Sequence, residues 1–146
     1  METYVPYPDI EQIADSLHPA DIRVSVITAM RVLDVAHEIE KTNLAFVKQL
    51  PTVRMWLGHE VFLYEYATQL NSRRETGRLP ARTQQRLDEH LSWATSGDFS
   101  MDPPRWWGEE RLHAAHRAEL FRSNPNFYGK RFGHLVADAP MFWPVG

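Results

Sequence analysis

Over residues 21–41, Val26, Ala29, Met30, Leu33 and Ala36 recur at the three- and four-residue spacing of an α-helix, while Thr28, Arg31, Asp34, Glu38 and Lys41 form a polar stripe. The period-two alternation of a half-buried strand is missing there, so the segment predicts an amphipathic helix whose many β-branched residues need tertiary packing to hold them. The same spacing links Ile10, Ile13, Ala14 and Leu17 behind Asp9, a residue able to cap a short helix over residues 10–16 that ends near His18-Pro19. A second long helix is predicted over residues 51–71, opened by Pro51 and faced by Trp56, Leu63, Ala67 and Leu70, with Val53, Leu57, Phe62 and Tyr64 widening the face. Gly58 falls inside it, costing about 1 kcal/mol relative to Ala, which implies that another backbone or a ligand comes close there. Gly77 closes the region.

Residues 80–94 predict a surface helix whose apolar contacts are Leu87, Leu91 and Ala94, and the breaker-rich residues 95–104 predict a loop. A helix over residues 109–121 has an acidic first turn that suits its dipole. Asn124-Pro125 then precedes a short turn or helix through Tyr128, and residues 139–146 form an irregular aromatic tail. The arm Tyr4-Val5-Pro6-Tyr7-Pro8-Asp9 is kept from helix by its two prolines. Together these segments predict an all-α fold, a single compact domain of about four to five helices with an extended N-terminal arm.

Composition limits the functional classes. At 146 residues, with 43% hydrophobic and 24% charged residues, the chain suits one globular domain, and no run approaches a membrane span. The absence of cysteine excludes disulfides, thiolate nucleophiles and Cys-ligated metals, and it suits a reducing compartment. An acidic, proline-bearing start lacks the pattern of a signal peptide, so a cytoplasmic location with no membrane partner is expected. A formal net charge of -3 gives no global attraction for a polyphosphate, so any nucleic-acid contact must be local. Arg73, Arg74, Arg78, Arg82 and Arg86 form one basic group, and Arg117, Arg122, Lys130 and Arg131 a second. Solvated helix faces account for such groups as readily as binding does.

On the predicted helix from Glu109, residues His113, His116, Arg117 and Leu120 stand at i, i+3, i+4 and i+7 and therefore share one face. A guanidinium fork holds phosphate or carboxylate, and an imidazole donates, accepts or moves a proton near neutral pH. Buried histidines bonded to backbone groups are the plainer reading of that face. Shared metal ligation by His113 and His116 is a third, short of a ligand unless His59-Glu60 or Asp138 comes near. Trp106, Trp107, Tyr128, Phe132, Phe142 and Trp143 offer stacking platforms for a base, although aromatics at helix junctions more often bury apolar area.

Three blocks carry a resemblance: Thr3-Tyr4-Val5-Pro6-Tyr7-Pro8-Asp9, then Pro51-Thr52-Val53-Arg54-Met55-Trp56-Leu57-Gly58-His59-Glu60, then Pro103-Pro104-Arg105-Trp106-Trp107-Gly108-Glu109-Glu110 continuing through His113, His116-Arg117, Leu120, Arg122, Pro125 and Tyr128. In order and composition they resemble the pyrimidine-dimer DNA glycosylase (phage endonuclease V-like) family, in a branch of small bacterial and phage proteins, over about half of the chain. The resemblance implies one all-helical domain with the arm threaded into the site, and a DNA or nucleotide ligand without a cofactor. It also implies a glycosylase and AP lyase in which an N-terminal α-amine attacks the sugar of a damaged nucleotide and a glutamate assists. An α-amine with a pKa of about 7.7 to 8 is partly uncharged at neutral pH and so is a competent nucleophile. Here Glu2 is too bulky for removal of the initiator methionine, which makes Met1 the implied nucleophile. The segment Asp21-Ile22-Arg23-Val24-Ser25-Val26-Ile27-Thr28 puts Thr28 where the family has its glutamate, and a neutral hydroxyl cannot stabilise an iminium as a carboxylate does. The implied catalytic set is Met1, Thr28 and His116, and the implied substrate-binding set is Thr3, Tyr7, Arg54, His59, His113, Arg117, Tyr128 and Lys130. A family member that has lost lyase chemistry and binds a nucleotide, a modified base or a protein partner is the alternative.

Overall fold

Asp9 converts the arm into a helix. Its carboxylate accepts the Glu11 N–H at 3.2 Å, and α1 (Ile10–Ser16) follows with Ile10, Ile13 and Ala14 buried, as their spacing predicts. The computed structural model describes residues 2–38, 44–73, 79–133, 139–140 and 142–144. Helix α2 (Pro19–Ala36) begins with Pro19 in its first turn and with His18 Nδ1 accepting the Ala20 N–H at 3.0 Å. Its core face holds Ile22, Val26, Ala29, Val32 and Leu33, but Ser25 and Thr28 are buried as well. Thr28 therefore leaves the predicted polar stripe, because the arm packs over that side of α2. The helix stops at Ala36 instead of continuing toward Lys41; Glu38 at φ +57 cannot continue a right-handed helix.

After α3 (Leu44–Val47), the predicted 51–71 helix is in fact two, α4 (Pro51–Arg54) and α5 (Glu60–Arg73). Gly58, at φ +89, turns the chain between them. A Cβ placed there meets nothing within 4 Å, so the glycine serves the turn and not the close approach expected of it. Gly77 lies outside the described residues. Helix α5 is central and packs on α1, α2 and α6 through a face that includes Leu63, Tyr66, Ala67 and Leu70.

Helix α6 (Arg82–Ala94) buries Thr83, Leu87 and His90, while Leu91 and Ala94, two of its three predicted contacts, are only half-buried. The face is rotated because His90 finds polar partners inside: its Nε2 lies 2.7 Å from Asp34 Oδ1 and its Nδ1 lies 2.8 Å from His37 Nδ1. The breaker-rich residues 95–104 form no helix. Helix α7 (Glu110–Ser123) packs on α8 (Pro125–Phe132); Asn124 ends the first and caps the second, accepting the Phe127 N–H at 3.3 Å. Among the described residues the fold is all-α, and its eight helical segments exceed the expected four to five because of the break at Gly58 and the short α3. No helix among them is long and apolar enough to cross a membrane. The buried core includes Trp56, Tyr66, Leu112 and Leu120, and Val5 of the arm is fully buried with them.

Candidate functional site: the arm on helix α7

The shared face predicted for α7 forms, and what it grips is the backbone of the arm. His116 Nδ1 accepts the Val5 N–H at 2.8 Å, His113 Nδ1–H donates to the Val5 carbonyl at 2.8 Å, and Arg117 Nη1 donates to the Pro6 carbonyl at 2.7 Å. His113 Nε2 accepts the Gly108 N–H, which fixes that ring as the neutral Nδ1–H tautomer. Burial holds His113 below the ordinary imidazole range against the pull of the Val5 carbonyl. Burial, with His113 beside it, pushes His116 down to about 3. Arg117 is only 4% exposed; its second amino group is paired with Glu110, and its guanidinium lies 5.5 Å from the Tyr7 ring centre. Both nitrogens of His113 are engaged by backbone, so the two histidines have no free pair of lone pairs with which to share a metal ion, and Asp138 lies outside the described residues.

The clamp at Val5 and Pro6 fixes what precedes it. Thr3 is buried and its Oγ1 accepts the Trp56 Nε1–H at 2.9 Å, while the Tyr4 N–H donates to Ser25 Oγ at 3.2 Å and the Tyr4 carbonyl accepts Tyr66 Oη–H at 2.7 Å. The Tyr4 phenol is pushed up to about 12 by burial and by the negative charges of Asp21, Glu2 and Glu119. Burial and the like charge of Glu119 raise the Glu2 carboxyl too. Tyr128 joins the same wall: its hydroxyl donates to Asp21 and accepts the His18 N–H at 2.9 Å. Four buried polar atoms here have no partner among the described residues: His116 Nε2, Arg117 Nε, Glu2 Oε2, and the Oγ1 of Thr28, one turn beyond Ser25 on α2. With Nδ1 of His116 accepting, its proton sits on Nε2, a buried donor beside the rings of Tyr4 and Trp143.

A cleft of about 390 Å³ opens next to this arrangement, lined by Arg54, His59, Arg105, Trp106 and, from the tail, Phe142 and Pro144. The two regions share structure: Trp106 lies 4.9 Å edge-on from the Trp56 ring that holds Thr3, and Trp143 between Phe142 and Pro144 reaches His116. Arg111 covers the Phe142 ring at 4.2 Å. The cleft thus combines guanidinium donors and aromatic walls, a pairing suited to phosphate and base together, with one carboxylate, Glu109.

Of the residues expected to act together, Thr3, Tyr7, His113, His116, Arg117, Tyr128 and Thr28 gather around the arm, and Arg54 and His59 line the cleft. Lys130 is exposed on α8, away from these bonds, and Met1 lies outside the described residues. Tyr128 and Trp106 are core residues with polar tips, and Trp107 donates its Nε1–H to the Pro8 carbonyl at 3.0 Å, so these rings serve packing first. The sequence reading missed Asp21, Glu2, Tyr4, Ser25 and Glu119. A signal for Asp21 was its place one turn ahead of Ser25 on α2, the side on which Thr28 also lies. A scan against protein-family models finds no match for this chain, and neither does a search of curated proteins or of solved structures.

Proposed function

We propose that the chain is a DNA base-excision protein of the pyrimidine-dimer glycosylase and AP lyase kind, acting on damaged or modified bases. The observation that supports this reading is the clamp of His113, His116 and Arg117 on Val5 and Pro6, which holds the start of the arm beside a basic, aromatic cleft. In the proposed reaction the uncharged α-amine of Met1 attacks C1′ of the sugar, the glycosidic bond breaks, and the base leaves with the bonding pair and takes a proton. The sugar ring opens to an iminium; loss of a C2′ proton then expels the 3′ phosphate, and water releases the amine. Asp21 and Glu119 supply the negative field that a cationic iminium needs, a role that Thr28 cannot perform. His116 acts by holding the Val5 N–H and so positions the arm, and Arg54 and Arg105, which line the cleft, are available to a flanking phosphate.

The alternative, a relative that binds a nucleotide or modified base without cleaving, is favoured by one observation: Thr28 places an unpartnered hydroxyl where the resemblance leads one to expect a carboxylate. Borohydride reduction separates the two. Incubated with abasic and UV-irradiated duplexes, the protein is expected to form a covalent adduct that disappears when the α-amine is first blocked by reductive methylation. Binding of either duplex with neither adduct nor strand incision would assign the chain to the non-cleaving alternative, and an adduct insensitive to amine blocking would exclude Met1.

A further inference from the structure

A second cleft, of about 720 Å³, lies between α2 and α6, walled by Arg23, Arg31, Arg82 and Arg86. Residues 23, 27, 31 and 34 line it from α2 at helical spacing, whereas Ser25, which holds the arm, is about 200° around that helix, so the cleft is a separate surface from the arm site. Four guanidinium groups there meet two carboxylates, Asp34 and Glu89. Asp34 is already engaged by His90 Nε2 at 2.7 Å and Arg86 Nη2 at 2.9 Å, which leaves Glu89 as the negative charge not so engaged. Arg23 and Arg82 are exposed and take part in no ion pair among the described residues. In a chain of net charge -3 this is a local concentration of positive charge, and Ile27 and Leu79 add apolar surface within reach of it.

We propose that this cleft binds the phosphate chain of a nucleotide or an oligonucleotide, independently of the arm site. Guanidinium forks match phosphate oxygens two at a time, and the apolar strip between them accommodates the sugar and base that such a chain carries. The test measures binding of two probes, inorganic tripolyphosphate and a fluorescent single-stranded oligonucleotide, to the full chain at low salt. The wild type is compared with the double variant Arg23→Ala/Arg82→Ala and, as a charge-matched control, with Lys48→Ala/Arg131→Ala, two cations that line neither cleft. The first variant is expected to weaken binding by at least about tenfold while its circular dichroism stays native, and the second to leave binding within about twofold of wild type. Tripolyphosphate sensitive to the first variant identifies a free phosphate compound as the ligand type; sensitivity of the oligonucleotide alone identifies a polymer backbone. Absence of binding by both probes, or equal losses in the two variants, overturns the proposal.

Discussion

At Val5 both backbone groups are taken by imidazoles of one helix, so the arm cannot slip along α7 without breaking two buried hydrogen bonds at once. Arg117 adds a third at Pro6, and its loss strands both a buried carbonyl and the volume the side chain fills. Arg117→Ala is expected to destabilise the chain by about 2–4 kcal/mol in urea unfolding and to make the arm sensitive to protease. The histidines also set a pH dependence. His116, at about 3 in the folded chain, stays neutral where an unfolded imidazole near 6.5 is already protonated, so the unfolded state takes up more protons as pH falls. The stability this contributes is fully present above about pH 6.5 and is lost on the way down to about 3, and His113 and His37, both lowered by burial, act in the same direction. Unfolding free energies between about pH 6.5 and pH 4 should fall by up to about 1.4 kcal/mol per unit for such a histidine, with a shallower slope in His116→Phe. If the base-excision reading holds, Asp21→Asn, which keeps an acceptor for Tyr128, lowers borohydride trapping by about a hundredfold. The spacing of His113, His116 and Arg117 made their common face legible in the sequence, but their partners were not legible, because a backbone carbonyl of an arm leaves no mark on side-chain pattern. Asp21 stood in the sequence only as the first residue of the segment 21–28 until the fold brought the Tyr128 hydroxyl to it.

Helices α1 and α7 were legible from their apolar period and flanking caps, each within a residue or two at the ends. The break between α4 and α5 was not, since the apolar residues on either side of Gly58 keep a helical period across the turn. Gly58 was visible in the sequence and misread as a packing glycine, when its φ of +89 and open surroundings show a backbone requirement. Gly58→Ala should therefore cost about 1–2 kcal/mol in thermal or urea unfolding through strain alone, and it should leave the packing of Trp56 unchanged by near-ultraviolet circular dichroism. Helix α6 erred the other way. Its buried His90 carries part of the contact with α2 through Asp34 and His37, a polar seam that a count of apolar residues passes over.

Across the whole molecule, an all-helical body with an arm laid into it follows from prolines that forbid helix before Asp9 and from residues of α7 able to satisfy an extended backbone. Charge is apportioned to match: the charges of Asp21, Glu2 and Glu119 act on Tyr4 at the start of the arm, and arginines gather in two clefts on separate surfaces. The proposed base-excision function depends on the arm being seated on α7 in solution, and amide hydrogen exchange at Val5 tests that seating most directly. With its N–H donated to a fully buried imidazole, Val5 is predicted to exchange as slowly as the core amides of α7, through global unfolding alone. Exchange at the rate of an exposed chain end, while α7 stays protected, would contradict the account.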